Sequence, residues 1–148
     1  MRAVRLCALV VGLMAPWALH DAAPWAASGV SFRVVVNPSN PSSAVERRFL
    51  AEAFLKKTTR WPDGSTIRPV DLNGESSVRQ RFSEDVVGRS VVAVKNYWQQ
   101  IVFSGRDLPP PELDTDDDVV RYVAKHDGAI GYVSGAANVE RVKIVTVR

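Results

Sequence analysis

The stretch Gly128-Ala129-Ile130-Gly131-Tyr132-Val133 decides how this chain is read. A short apolar run bounded by turn residues reads as a buried strand, and its glycines mark close approach of another backbone. Just upstream, Thr115 with Asp118 opens a helix whose apolar side is Val119, Val120 and Val123. Downstream, Val142–Val147 is a second β-branched run and reads as the final strand. A helix feeding two strands at this end predicts a sheet with helical cover.

Working outward, Val30–Val36 begins with alternation and ends in three valines, a strand that becomes buried on both faces. Asn37-Pro38-Ser39-Asn40-Pro41 breaks it into a loop. Ser43 with Glu46 fits a capping box for a helix carrying Val45, Phe49, Leu50, Ala53 and Phe54 on one face. Trp61-Pro62-Asp63-Gly64 is a turn, and Ile67–Leu72 reads as an edge strand because Pro69 cannot donate to a ladder. Ser77 with Gln80 gives a second capping box, followed by Val78, Phe82 and Val86 at steps of four. Gly88 ends that helix. Ser90 caps the next, with Val94, Tyr97, Trp98, Ile101 and Val102 on one face. Pro109-Pro110-Pro111 requires an extended surface loop. The order β-α-β-α-α-α-β-β predicts an α/β fold with a mostly parallel or mixed sheet flanked by helices.

The chain has 148 residues, which suits a single domain. Apolar residues are 46% and charged residues 24%, a globular balance. A formal charge of +3 is a poor argument for a nucleic-acid partner. One cysteine excludes an internal disulfide or a cysteine-based zinc site.

The N-terminus reads as an export signal. Arg2 and Arg5 precede an apolar run from Leu6 to Leu19, followed by Ala22, Ala23, Ala26, Ala27 and Ser28. At about 1.5 Å per residue that run spans about 21 Å of helix, short of a roughly 30 Å hydrocarbon core. The expected division is a secretory signal peptide over residues 1–27 and one domain over 28–148. An uncleaved membrane anchor is the other reading. Cys7 falls inside the signal, before the site where a lipoprotein cysteine would stand. Periplasmic or secreted localisation follows.

Residues for catalysis are sparse. His126 is the one histidine beyond the signal, and it ends a helix where a cation complements the dipole. Asp116-Asp117-Asp118 occupies a first helical turn, where acids serve the same dipole, and no calcium-loop spacing accompanies it. Phosphate-loop motifs are missing. The aromatics Phe49, Phe54, Trp61, Phe82, Tyr97, Trp98, Phe103, Tyr122 and Tyr132 read as core, and Arg79, Arg81, Arg89 and Lys95 as a solvated face. The expectation is no enzyme, no cofactor and no metal. Anion binding at a helix start remains, and two loops qualify: Asn37–Ser43 and Asn73–Ser77, the second with Arg79 within one turn.

Several of these stretches occur together in one known pattern. They are Val34-Val35-Val36-Asn37, Phe54-Leu55-Lys56-Lys57 running into Trp61-Pro62-Asp63-Gly64-Ser65-Thr66-Ile67, and Arg81-Phe82. Tyr97-Trp98, Phe103-Ser104-Gly105, Tyr122-Val123-Ala124 and Asp127–Val133 complete it. Through them the chain resembles the phosphate-binding proteins of bacterial ABC transporters, in the type 2 periplasmic-binding-protein superfamily. The resemblance runs from residue 31 to residue 135. It implies one lobe of a clamp that normally has two, and a role in capturing phosphate or a similar oxyanion. It also implies an envelope or transporter protein as partner. The family's second lobe carries an arginine followed by Ser-Gly-Thr before a helix. Here Asp71-Leu72-Asn73-Gly74-Glu75-Ser76-Ser77 stands in that place, with the serines kept and the arginine absent. Ser76 and Ser77 carry over as ligand-binding residues, and Arg79 joins them on physical grounds. The alternative is an interaction module that has lost the ligand site and presents Pro109–Pro111 to an envelope protein. A hydrolase using His126 ranks last.

Overall fold

Three successive β-branched residues are stiff at χ1 and suit a pleated strand. In the computed structural model, which describes residues 29–148, they lie in β1, Phe32–Val36. This is the middle strand of five. The others are β2 (Ala44–Val45), β3 (Arg68–Pro69), β6 (Ala129–Ser134) and β7 (Lys143–Val147), in the order β2-β7-β1-β6-β3. β1 runs antiparallel to both β6 and β7, with Val34 opposite Tyr132 and Val145. The outer pairs, β2 with β7 and β3 with β6, are parallel. The sheet is therefore mixed rather than mostly parallel. Burial on both faces identifies a central strand, but it does not encode the direction of its neighbours. Pro69 falls on an edge strand, as its missing N–H requires. A separate parallel pair joins β4 (Asp71–Leu72) to β5 (Glu112–Leu113).

Four helices complete the described residues. They are α1 (Arg47–Phe54), α2 (Ser77–Phe82), α3 (Val91–Phe103) and α4 (Asp116–Lys125), and α2 runs on into a π-helical turn, Ser83–Val87. The caps at Ser90 and Thr115 form as expected, accepting from the amides of Ala93 and Asp118. The other two starts move. Ser76, not Ser77, caps α2. The Ser43–Glu46 box does not form, because residues 44 and 45 pair with β7 and Glu46 is the cap position without a side-chain bond. Two further ladder bonds, Thr146 N–H to Ser43 O and Arg148 N–H to Val45 O, fix that segment as extended. They satisfy more backbone than a single cap could.

Helices cover both faces of the sheet. On one face α4 lies so close to β6 that a Cβ at Gly131 would sit 2.8 Å from Val119 and 2.9 Å from Val70. On the other, Tyr132 stacks on Phe82 with ring centroids 3.7 Å apart, and Phe54 packs against both. Such aromatic contacts add roughly 0.5–1.5 kcal/mol each beyond burial. Asn37 joins β1 to α4: its buried Nδ2 donates to the carbonyls of Val123 and Ala124. Among the described residues no helix is long and apolar enough to cross a membrane. The expected signal segment lies outside the described residues.

Candidate functional site

Of the two loops expected to hold an anion, Asn37–Ser43 does not lead into a helix. It leads into β2, and its asparagines are engaged locally. Asn73–Ser77 does lead into one. Asn73 Oδ1 accepts from the amides of Glu75 and Ser76, both at 3.1 Å, which bends the chain into the start of α2. Ser76 Oγ accepts from the Arg79 amide at 3.4 Å. The amides of Ser77 and Val78 are thus the unused donors at the helix start. Ser76 is half-buried and Ser77 exposed.

The Arg79 side chain points elsewhere. Only 3% exposed, it pairs with Asp71 and donates through Nη1 to the Tyr132 hydroxyl at 3.3 Å. That hydroxyl donates in turn to Asp71 and accepts from the Leu72 amide at 3.3 Å. Burial lowers the Arg79 pKa, opposed by the phenol and by Glu112. Burial likewise raises the Tyr132 phenol far above its ordinary value, with Arg79 opposing. The structure therefore brings Ser76 and Ser77 together at the loop and sends the Arg79 guanidinium into the core. The expected solvated face of cations is corrected at this position. A charge opposite it on β4 and a tyrosine on β6 were not visible as neighbours from local spacing.

A different cation reaches the loop. The Lys95 ammonium lies over Gly74, where a Cβ would stand 2.8 Å from Nζ. Lys95 has no carboxylate within 4 Å among the described residues. The available signal was Lys95 facing outward on α3, but its meeting with residue 74 is a tertiary fact.

Beside Lys95, a groove of about 310 Å³ runs along α3, lined by Val94, Trp98, Val102, Phe103, Pro109 and Glu112 among others. Phe103 is 89% exposed, so the expectation that it belongs to the core is wrong. It is the last residue of α3, more than a turn beyond Trp98, the last buried side chain of that helix.

The remaining candidates have local work. His126 ends α4, its Nδ1 2.8 Å from the Tyr122 carbonyl and its ring stacked on Tyr122. Asp116 accepts from Ser134 N and Oγ, and Asp118 from Thr115 Oγ1. No group of three potential metal ligands occurs among the described residues.

The architecture has known counterparts. A putative phosphate ABC transporter substrate-binding protein with bound phosphate from Clostridium perfringens superposes with a TM-score of 0.63 at 19% identity, over 80% of this chain and 45% of that one. An ABC-type phosphate transport receptor from Vibrio cholerae gives 0.61 at 18% identity, over 80% and 46%. PstS from Borrelia burgdorferi gives 0.63 at 11% identity, over 80% and 47%. Over 80% of its length the chain shares the fold of part of these structures. It spans less than half the length of each of these structures. Neither a protein-family model nor a curated protein sequence matches it. Within this fold, Asn73–Ser77 enters a helix from beside β4, and the Lys95 ammonium stands over that entry.

Proposed function

We propose that this is an exported, non-enzymatic solute-binding protein that takes phosphate or another oxyanion weakly. Periplasmic or secreted localisation, with residues 1–27 as a cleaved signal peptide, belongs to the same reading. The observation that carries it is the fold, shared with part of a protein whose structure holds phosphate. Ser76 and Ser77 supply hydroxyls, and the amides of Ser77 and Val78 are without a partner at the helix start, an arrangement suited to an oxyanion. Arg79 supports the site by anchoring α2 to β4 and β6. Its guanidinium charge is already balanced by Asp71. Lys95 supplies the cation. Contacts from one side leave the rest of the anion in water, so weak affinity is expected unless a protein partner, such as a transporter component, closes over it.

Calorimetry of the purified protein with phosphate and with sulfate tests this, beside a Ser76→Ala/Ser77→Ala double variant and Lys95→Gln. Saturable heat that both variants diminish supports the reading. No heat at millimolar anion sinks it.

A second reading has its own support. Phe103 and Leu108, 89% and 66% exposed, precede the Pro109–Pro111 segment. An interaction module with this surface toward an envelope protein would lose its partner when residues 108–111 are replaced by Gly-Ser. Retention of the partner would clear the loop of that role.

A further inference from the structure

The solvent-facing side of α3 is not built as a solvated face. Its residues, Val91–Phe103, include one charge, Lys95. By contrast, α4 exposes Asp117, Arg121 and Lys125. Val94 and Trp98 are the buried side chains of α3, and the Tyr97 hydroxyl ties that side down by donating to the Leu55 carbonyl at 3.0 Å. At about 100° per residue, Val92, Asn96, Gln99 and Phe103 form one narrow stripe on the opposite side, and all four are exposed. The apolar residues at its two ends, Val92 and Phe103, are 65% and 89% exposed.

Positions 92, 96, 99 and 103 recur at the alternating steps of a seam between paired helices. The order along the stripe is apolar, amide, amide, apolar, and it reads the same from either end. A two-fold axis between two antiparallel copies of α3 therefore matches like with like. The register that sets Val92 against the second copy's Phe103 also sets Asn96 against its Gln99. Each of these amides offers both donors and an acceptor to the other. A lipid surface would bury the amides without partners, at a cost in free energy. A strongly charged partner finds no countercharge on the stripe. A second copy pairs the amides and covers both apolar ends with one contact made twice, as an isologous interface does.

We infer that the exposed face of α3 is a docking surface for a second copy of this chain, the two helices antiparallel across a two-fold axis, with Phe103 of each copy on Val92 of the other. A helix of this length is about 20 Å long and about 10 Å wide. A contact of that size falls at the low end of specific interfaces, below about 1,200 Å² in total. The dimer is therefore weak and forms as concentration rises. Lys95 stands to one side of the stripe, and the inference rests neither on the oxyanion reading nor on the envelope-protein reading.

Sedimentation velocity of the purified protein from about 5 μM to about 500 μM, a range that brackets weak association, tests the inference. The sedimentation coefficient should rise with concentration toward that of a dimer. Val92→Glu and Phe103→Lys each set a charge against an apolar residue of the second copy, and each should weaken the dimer at least about tenfold. Both positions are exposed, and each new charge suits its end of the helix dipole, so Tm at the lowest concentration should hold in both variants. The Val92→Glu/Phe103→Lys double variant places opposite charges on facing positions. It should recover most of the association, and less of it at high salt. A parent protein that stays monomeric throughout would overturn the inference. So would a dimer that neither single variant weakens, which would place the contact elsewhere. A double variant no better than the single ones would also sink it, because the antiparallel register requires these two positions to meet. Phosphate calorimetry on the same samples reports on the oxyanion reading alone.

Discussion

Arg79 and Asp71 form an ion pair whose side chains are 3% and 6% exposed, one placed by α2 and the other by β4. Tyr132, from β6, closes the group with its hydroxyl on both. Three elements distant in sequence thus meet at one buried polar cluster beneath the candidate loop.

Breaking one side of this pair leaves a buried charge without its partner. Asp71→Ala should destabilise the protein by about 3–5 kcal/mol in urea denaturation, whereas Asp71→Leu with Arg79→Met should recover most of that loss. A double variant no more stable than the single one would show that Asp71 acts through packing and not through charge.

Tyr132 gives the cluster a pH dependence. Burial holds its phenol protonated beyond the ordinary range, so the folded pKa is raised. The unfolded phenol releases its proton near about pH 10. Above that pH the unfolded state binds fewer protons than the folded state, and stability falls as pH rises. Below it the contribution is fully present. Thermal melts from pH 8 to 11 should show this decline, and Tyr132→Phe should flatten it while lowering Tm at pH 8.

Gly131 sets the spacing between β6 and α4. A methyl group there would meet the side chains of Val119 and Val70 below 3.0 Å. Gly131→Ala should therefore cost about 1–3 kcal/mol by overpacking. Gly131→Ala with Val119→Ala should restore part of it. An unchanged denaturation midpoint in the single variant would mean that α4 shifts freely.

The two serines separate structure from binding. Ser76→Ala removes the cap of α2 and should cost about 1 kcal/mol. Ser77 is exposed, and Ser77→Ala should stay within about 0.5 kcal/mol of the parent in stability. Loss of phosphate heat in Ser77→Ala at unchanged Tm isolates a ligand role, and equal heat in the two proteins removes Ser77 from the site.

The sequence by itself determined the local elements. Consecutive valines made β1 a central strand, Ser90 and Thr115 capped their helices, and Pro69 stood on an edge. Each follows from residue type and spacing over a few positions. The G-A-I-G-Y-V stretch also named its own environment, because alternation along a strand puts Gly131 toward one layer and Tyr132 toward the other. Of the candidate site, the loop was legible as a helix entry, since a turn followed by a cap is a local signal, but the cap fell on Ser76 and not on Ser77.

Tertiary structure alone decided the rest. Strand direction depends on which segments flank β1, and the Ser43 box lost to a ladder with β7, whose partners lie about a hundred residues away. Arg79 and Lys95 are both cations near apolar helix positions, and nothing local distinguishes them. Arg79 became a core ion because Asp71 and Tyr132 meet it there. Lys95 became the cation of the loop because α3 crosses Gly74. Charge takes its role from long-range neighbours and from burial, and only the folded chain supplies both.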